Sequence, residues 1–366
     1  MKRTLAMVLA GTMALSLSAC GGSSTASTTA APAAAPATEA AKAEETKAAE
    51  AEAPAEDYGE YNWTLAMTVS ETTTNYKMVE YFANMINEKS GGSITVDLYP
   101  GGQLANTTEQ DEACVSGSID MVTGMTSDLT DFVKEMALFD MPNVFDDVDH
   151  MRNFLNSDYA KVQINEYCEA SGIHMLAFSD AGFRELTTNI ETASVADLAG
   201  QKIRVMTNKY HIAYWNAVGA SAVPMQFNEL FMGLQQGTVD GQENPYMNIV
   251  GNNLQEVQKY IVETNHVGHI IVFFMNNDLY QSLPDNTKAL VDECAAAATE
   301  FAKDVANESI AKDKKTCEDA GCKIVTFSDD DLAFLRDKAQ VVYDMVKEDL
   351  GEETVQKFQD AVEAAR

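Results

Sequence analysis

Residues 201–245 read QKIRVMTNKYHIAYWNAVGASAVPMQFNELFMGLQQGTVDGQENP. Within them, 202–207 has the pattern of a strand, and 209–218 and 229–236 have the apolar spacing of helices, each ended by a glycine. The stretch predicts a short strand followed by two helices, and it closes on a run of polar side chains before Pro245.

The alternation of strands and helices continues on both sides of this stretch. We predict strands at 63–69, 94–98, 119–123, 173–178, 270–275 and 323–327, helices at 76–87, from Asn106 and from Pro284 to about 319, and two C-terminal helices. Short strands separated by helices imply an α/β fold with parallel sheets covered on both faces. Such sheets bind ligands where their strands end, commonly in a crevice between domains.

Composition narrows the classes of function. The chain has 366 residues, with 25 Lys and Arg against 56 Asp and Glu, and its formal net charge is -31. The apolar fraction of 46% excludes wholesale disorder. So much negative charge argues against nucleic acid or an anionic membrane surface as the partner. An acidic protein that binds an acid must supply local positive charge, which makes its few arginines informative.

The N-terminus predicts the compartment. Residues 1–20 have a basic start, an apolar stretch too short to span a bilayer, and small residues before Cys20. This resembles a bacterial lipoprotein signal whose cysteine is lipidated, and an ordinary cleaved signal is the alternative. Residues 21–57, rich in Ala, Thr, Glu and Pro, predict a disordered linker. We therefore expect an extracytoplasmic protein that a lipid anchor holds at the cell membrane, at the cell surface or in the periplasm.

Motifs of catalysis and of cofactor binding are missing from the sequence. It contains no nucleophile elbow, phosphate-binding loop, dinucleotide fingerprint or His-Glu-x-x-His. His266 and His269 border a predicted strand, where residues three apart point to opposite faces, so we expect no metal site. Cys317 and Cys322 are spaced to pair across a short turn, and buried thiols are expected for the other cysteines. We therefore predict a binding protein without cofactor or metal, and not an enzyme.

Four recognition-type residues stand out. Arg184 follows a predicted strand, and Arg204 lies within one, on the side opposite to its apolar neighbours. Two arginines can clamp a carboxylate from different directions, although a structural salt bridge explains either one alone. Asn244 can bind a ligand oxygen or cap a turn, and Phe227 can stack on a ligand or anchor a helix.

Taken together, these motifs resemble the solute-binding subunit of a tripartite ATP-independent periplasmic (TRAP) transporter, in its dicarboxylate-type branch. The resemblance covers about residues 61–350. It is carried by the ordered motifs Tyr99–Leu104, Gly117–Asp120, Gly200–Val205, Trp215–Ala220, Pro224–Phe227, Leu234–Gly237, Val239–Pro245, and Glu256–Tyr260 followed by His266.

The resemblance implies a two-lobed clamshell, like the type II periplasmic binding proteins, with crossing connections and a long connecting helix. It implies a first lobe of 58–182 plus about 270–305, and a second of 183–269 plus about 306–366. It further implies that the lobes close on an organic acid and deliver it to the membrane subunits of a TRAP transporter. A lipoprotein that feeds an ATP-driven importer is the alternative function, and a secreted enzyme that acts on acids is a weaker one.

The resemblance also assigns roles to single residues. Arg204 takes the place of the family's signature carboxylate ligand, and Arg184 that of its second arginine. Asn244 and Phe227 match the asparagine and the aromatic residue that contact the ligand. Further contacts are expected from the opposite lobe and from the polar neighbours of Asn244, namely Thr68, Asn106, Met125, Gln242 and Glu243. Which acid is bound stays open among dicarboxylates, uronates or aldonates, keto acids and aromatic acids.

Overall fold

The structure, a computed structural model, describes residues 56–366. The predicted signal and nearly all of the predicted linker lie outside the described residues. The strands are β1 (Tyr61–Ala66), β2 (Ile94–Tyr99), β3 (Met121–Met125), β4 (Ile173–Phe183), β5 (Glu185–Thr188), β6 (Lys202–Val205), β7 (Ser221–Pro224), β8 (Gly241–Asn244), β9 (Tyr260–Val262), β10 (Gly268–Asn276) and β11 (Lys323–Val325). The α-helices are α1 (Thr74–Lys89), α2 (Thr107–Val115), α3 (Val148–Leu155), α4 (Asn165–Ala170), α5 (Lys209–Val218), α6 (Leu230–Gln235), α7 (Tyr246–Gly251), α8 (Asn277–Ser282), α9 (Asp285–Asp319), α10 (Asp329–Lys338), α11 (Gln340–Leu350) and α12 (Glu352–Ala364).

The strands form two sheets. The first has the order β2-β1-β3-β10-β4 and the second the order β11-β9-β5-β8-β6-β7. We call the parts of the molecule built on them the first and the second lobe. The strands of the first sheet come from the ranges predicted for the first lobe, and those of the second sheet from the ranges predicted for the second. The exact boundaries of the lobes stay a prediction. The α/β class and the two-lobed architecture are confirmed.

The prediction of purely parallel sheets is wrong for two strands. In the first sheet β10 runs antiparallel to β3 and β4, and in the second β5 runs antiparallel to β8 and β9. The cause is a double crossing, because the chain passes from β4 into β5 and returns from β9 into β10. The two crossing segments run antiparallel to each other through both sheets.

Arg184 lies where the chain crosses between the lobes. Phe183 ends β4 and Glu185 begins β5, so Arg184 is the single residue between the two sheets. Its backbone N–H donates to the carbonyl of Val267 on the returning segment at 2.9 Å. The crossing therefore fixes the backbone of Arg184 at the junction of the lobes.

Helix α9 connects the lobes along one side. It begins after Pro284 and ends at Asp319, as the sequence predicts. It contacts α1 and β4 of the first lobe and α7 of the second. Alanines at helical spacing form its buried face and allow this close approach, namely Ala295, Ala298, Ala302 and Ala306.

The described residues end in three helices and not in the two predicted, because α10 and α11 are separate elements. Helix α11 contacts α5 of the second lobe, whereas α12 contacts α3 of the first. The ring of Phe358 on α12 lies 5.1 Å from that of Phe154 and 5.5 Å from that of Phe139. The range from 306 to the end, predicted for the second lobe, therefore also packs on the first.

The cysteines of the described residues are buried free thiols: Cys114, Cys168, Cys294, Cys317 and Cys322. Pairing of Cys317 with Cys322 is therefore not observed, and the Cys322 Sγ lies 3.4 Å from the carbonyl oxygen of Gln258. Among the helices of the described residues, none combines the length and the apolar composition needed to cross a bilayer.

Candidate functional site

A cavity lies between the two lobes, with about 720 Å³ of empty space counting its open mouth. Hydrogen bonds cross the cleft around it. Gln226 Nε2 donates to Thr108 Oγ1 at 3.2 Å, and Asn208 Nδ2 donates to Asp140 Oδ2 at 2.7 Å. The lobes thus touch each other beside the cavity, as the halves of a closed clamshell do.

The structure brings most of the predicted site residues to this cavity. Six of the nine line it, namely Thr68, Met125, Arg184, Arg204, Phe227 and Asn244. The other three, Asn106, Gln242 and Glu243, do not. The two arginines predicted to form a clamp both reach the cavity, but their surroundings differ.

Arg204 lies on β6 between the buried core residues Ile203 and Val205, with its side chain on the other face. Its Nε and Nη2 donate to the carbonyl of Met225 at 2.8 and 2.6 Å. Its Nη1 is buried and has no hydrogen-bond partner. Burial lowers the pKa of Arg204 to about 10, so the side chain is still a cation at neutral pH. A buried cation therefore lines the cavity with one donor nitrogen unused.

Phe227 lies next to this cation, in the short turn that precedes α6. The Arg204 Cζ is 5.8 Å from the centre of the Phe227 ring, within the range of a cation–π contact. The ring also packs against the apolar cluster of α6. It lines the cavity and anchors its helix, so both interpretations of the sequence describe part of its position.

Arg184 has a different environment, because Glu243 binds two of the nitrogen atoms of its guanidinium group. Arg184 and Glu243 form a fully buried ion pair through Nε and Oε2, and Nη2 donates to Oε1 at 2.8 Å. Only Nη1 is turned to other partners, His269 Nδ1 at 2.9 Å and Met125 Sδ at 3.4 Å. Arg184 thus turns one edge towards the cavity, while Glu243 is buried behind it in this ion pair and does not line the cavity.

Glu243 is also surrounded by imidazoles. His266 Nε2 lies 3.0 Å from Oε2 and His211 Nδ1 lies 3.7 Å from Oε1. Burial alone raises the pKa of Glu243, but the Arg184 guanidinium and the hydrogen bonds from both histidines hold it well below its usual range. Burial likewise opposes the charge on His211, yet hydrogen bonds to Asp140 and Glu243 raise its pKa to about 9. The carboxylate is therefore ionised and fully paired inside the protein.

His269 faces the cavity and is neutral. Burial first, and the charge of Arg184 second, lower its pKa well below the usual range. Because Nδ1 accepts from Arg184, the proton of the ring lies on Nε2. Within residues 56–366, no group of three or more His, Cys, Asp or Glu side chains is arranged to hold a metal ion.

Gln242 and Asn244 belong to one chain of hydrogen bonds. Gln242 Nε2 donates to Thr187 Oγ1 at 3.0 Å, and Asn244 Nδ2 donates to Gln242 Oε1 at 2.5 Å. Asn248 Nδ2 donates in turn to Asn244 Oδ1 at 3.2 Å. Asn244 and Asn248 both line the cavity, whereas Gln242 positions Asn244 from behind. Gln242 therefore lies behind the cavity wall and not in it.

Asn106 is the third residue that the structure places elsewhere. Its Oδ1 accepts from the backbone N–H of Glu109 at 3.1 Å, and Glu109 Oε2 accepts from the backbone N–H of Asn106 at 3.2 Å. This is a capping box at the start of α2, which satisfies two otherwise unpaired amides. The same Asn-x-x-Glu spacing predicts the helix start, and the side chain of Asn106 is engaged in this capping role.

The sequence interpretation missed Asp128, which lines the cavity from the first lobe. Its Oδ2 accepts from the backbone N–H of Met125 at 3.0 Å, in the turn directly after β3. Burial raises the pKa of Asp128 to about 6, while Arg184 and Arg204 act in the opposite direction. Its place just past the end of a predicted strand was the available signal.

Comparison with known proteins agrees with this geometry. The family described as bacterial extracellular solute-binding protein, family 7, matches residues 65–349. The C4-dicarboxylate-binding periplasmic protein DctP of Rhodobacter capsulatus is 29% identical over 291 residues, which are 78% of this chain and 86% of the relative.

Two solved structures are also similar. The sugar acid binding protein DctPAm of Advenella mimigardefordensis, in complex with galactonate, has a TM-score of 0.81 and 27% identity and covers 85% of this chain and 100% of its own. A TRAP periplasmic solute-binding protein of Sulfurospirillum deleyianum, with bound succinate, has a TM-score of 0.76 and 29% identity, with coverages of 82% and 99%.

Proposed function

The chain belongs to family 7 of the bacterial extracellular solute-binding proteins, and from this premise we propose that it captures an organic acid anion between its lobes and delivers it to a TRAP-type membrane transporter. The observation that carries the proposal is the unused donor of Arg204. A buried charged nitrogen without a partner is costly, and a carboxylate supplies a charge-assisted hydrogen bond at that place.

The other cavity residues fit an acid anion. Arg184 presents its Nη1 edge, Phe227 lies over the Arg204 guanidinium, and the side-chain amide of Asn244 lines the cavity. The ligands named for the relatives agree, since these are C4-dicarboxylates, galactonate and succinate. We propose Arg204 as the principal carboxylate ligand and Arg184 as its auxiliary.

Closure of the lobes supplies the mechanism. An acid that enters the open cleft meets Arg204 in water, and closure removes that water and strengthens the pairing. Contacts such as Gln226 to Thr108 form only when the lobes meet, so the ligand favours the closed state. The closed shape is the one that the membrane subunits receive.

We propose that the protein has no catalytic role and returns the acid unchanged. Delivery to an ATP-driven importer is the alternative for the partner, and the family membership favours the TRAP-type subunits. Incubation of the protein with the acid that it binds, followed by mass spectrometry of the released compound, is expected to recover that acid. A changed mass would favour the secreted enzyme instead.

Localisation at the membrane rests on Cys20, which lies outside the described residues. We propose that residues 1–20 are a lipoprotein signal and that Cys20 carries the lipid anchor. Cys20→Ser is expected to move the protein from the membrane fraction to the soluble extracytoplasmic fraction, because acyl chains supply the membrane affinity. Cys294→Ser, at a buried thiol, is the control. An unchanged distribution of the Cys20 variant would contradict the anchor.

The proposed function is tested by thermal unfolding of the full chain against a panel of organic acids, with neutral sugars alongside. A ligand at about a hundredfold excess over its Kd adds about 2.7 kcal/mol to the free energy of unfolding, which raises the Tm measurably. We expect one group of acids to raise the Tm and neutral sugars to have no effect. Stabilisation by neutral sugars alone would contradict the carboxylate site.

A further inference from the structure

The charges of the cavity are distributed unevenly between the lobes. Among the described residues that line it, the only side chains with a full positive charge are Arg184 and Arg204, both from the second lobe. The first lobe contributes the acidic side chains of the cavity lining, which are Asp128 and, near the surface, Asp131. Because Glu243 already neutralises Arg184, Arg204 is the one cation left for an anionic ligand.

Asp128 is held in place as a hydrogen-bond acceptor. One oxygen, Oδ2, accepts from the Met125 backbone, and a Cβ at Gly124 would come within 3.2 Å of that oxygen. The other oxygen, Oδ1, has no hydrogen bond within the described residues. A ligand that closes the cavity against the first lobe therefore meets a fixed carboxylate with a free acceptor.

A second carboxyl group interacts electrostatically with Asp128. Asp111 on α2 is buried, and neither of its carboxyl oxygens has a hydrogen-bond partner. Burial first, and the charge of Asp128 second, raise the pKa of Asp111 well above its usual range. At neutral pH Asp128, whose pKa is about 6, is ionised, and the cavity keeps one negative charge on its first-lobe side.

The remainder of the first-lobe wall consists largely of hydroxyl and amide groups. Thr68, Thr107, Thr108 and Thr123 line the cavity together with Asn75, whose Oδ1 is buried without a partner. Such groups pair with hydroxyls, which both donate and accept. A second carboxylate would meet the charge of Asp128 here, and like charges at close range disfavour binding strongly.

We propose that the acid bound by this chain is a polyhydroxy monocarboxylate, whose single carboxylate pairs with Arg204 and one of whose hydroxyl groups donates to Asp128. The inference rests on the proposed function and adds the substrate class to it. Asp128 is thus a specificity-determining residue that selects against dicarboxylates. The assignment follows from the position of one half-buried anion opposite one available cation in the same cavity.

The test uses pairs of acids that differ only at the far end. Gluconate and glucarate form one pair and galactonate and galactarate another, because in each the terminal CH2OH is replaced by a carboxylate. Kd values are measured by calorimetry with the full chain at about pH 8, where Asp128, with its pKa of about 6, is ionised and cannot donate to a second carboxylate. In at least one pair, the monocarboxylate is expected to bind about tenfold or more tightly than its partner.

Two variants locate the effect. Asp128→Asn keeps the shape and an acceptor for Met125 but removes the charge, so the preference for the monocarboxylate is expected to shrink by about tenfold or more. Asp97→Asn, at an exposed position of β2, removes the same charge and is expected to leave the ratio unchanged. A ratio unaltered by Asp128→Asn would overturn the role of Asp128.

Further ligands separate the remaining outcomes. Tighter binding of the dicarboxylates, or equal binding of hexanoate, which has no hydroxyl groups, would overturn the substrate class and leave the organic-acid function intact. Tighter binding of 2-amino-2-deoxygluconate would place an ammonium group at Asp128 and overturn the hydroxyl assignment. Failure of every acid to bind would overturn the proposed function together with this inference.

Discussion

Arg204→Ala is expected to weaken binding of the acid by about 100-fold or more while the unliganded protein stays folded. A guanidinium–carboxylate pair consists of charge-assisted hydrogen bonds worth about 1.5–3 kcal/mol each, and closure of the lobes removes the competing water. The unliganded protein loses the two hydrogen bonds to the carbonyl of Met225 and the contact with the Phe227 ring. Removal of Arg204 breaks no direct ion pair, because Glu243 is paired with Arg184 and Asp128 keeps its hydrogen bond from the Met125 backbone.

Calorimetry on the variant, with chemical denaturation as the check of folding, measures both parts of this result. Arg204→Lys keeps the charge but loses the planar fork, so we expect an affinity between those of the wild type and the alanine variant. Arg336→Ala, at an exposed position of α10, is the matched control and is expected to bind normally. Native affinity in Arg204→Ala would mean that the carboxylate binds elsewhere in the cavity.

Local sequence patterns were sufficient to predict many elements but not the direction of every strand. Helix α5 and helix α9 have the predicted bounds, because a glycine ends the first and a proline precedes the second. The directions of β5 and β10 depend on the crossing between the lobes, which brings residues distant in sequence into register. That pairing is a tertiary event, and a local pattern of apolar residues does not contain it.

The site shows the same division between local and tertiary information. Arg204 was predictable because its alternation with Ile203 and Val205 places it opposite the core. The same alternation on β8 puts Glu243 on the face opposite to Asn244, so its absence from the cavity could have been expected. That Glu243 would bind Arg184 on this hidden face could not be predicted, since the ion pair joins a residue of β8 to the single residue between β4 and β5.

Glu243→Gln is expected to lower the free energy of unfolding by about 3–5 kcal/mol, because it leaves the Arg184 cation buried without its counter-ion. The side chains of both residues are fully inaccessible to solvent, so water cannot replace the lost carboxylate. Asp319→Asn breaks an ion pair with Lys315 that is mostly exposed, and we expect it to change the same quantity by less than about 0.5 kcal/mol. Denaturant unfolding near neutral pH compares the two variants.

The pH dependence of the difference tests its electrostatic origin. The pKa of Glu243 is held well below its usual range in the folded protein. Its contribution to stability is therefore present above the pKa of Glu243 in the unfolded chain, about 4.5, and is lost as the pH falls towards the lower pKa of the folded state. The gap between the wild type and Glu243→Gln is therefore expected to shrink below about pH 4.5. The double variant Arg184→Met with Glu243→Met removes both charges and is expected to regain part of the lost stability, because no unpaired ion remains. Two results together would assign the lost stability to packing instead of the buried ion pair. One is a difference in the free energy of unfolding that stays constant with pH, and the other is a double variant no more stable than Glu243→Gln.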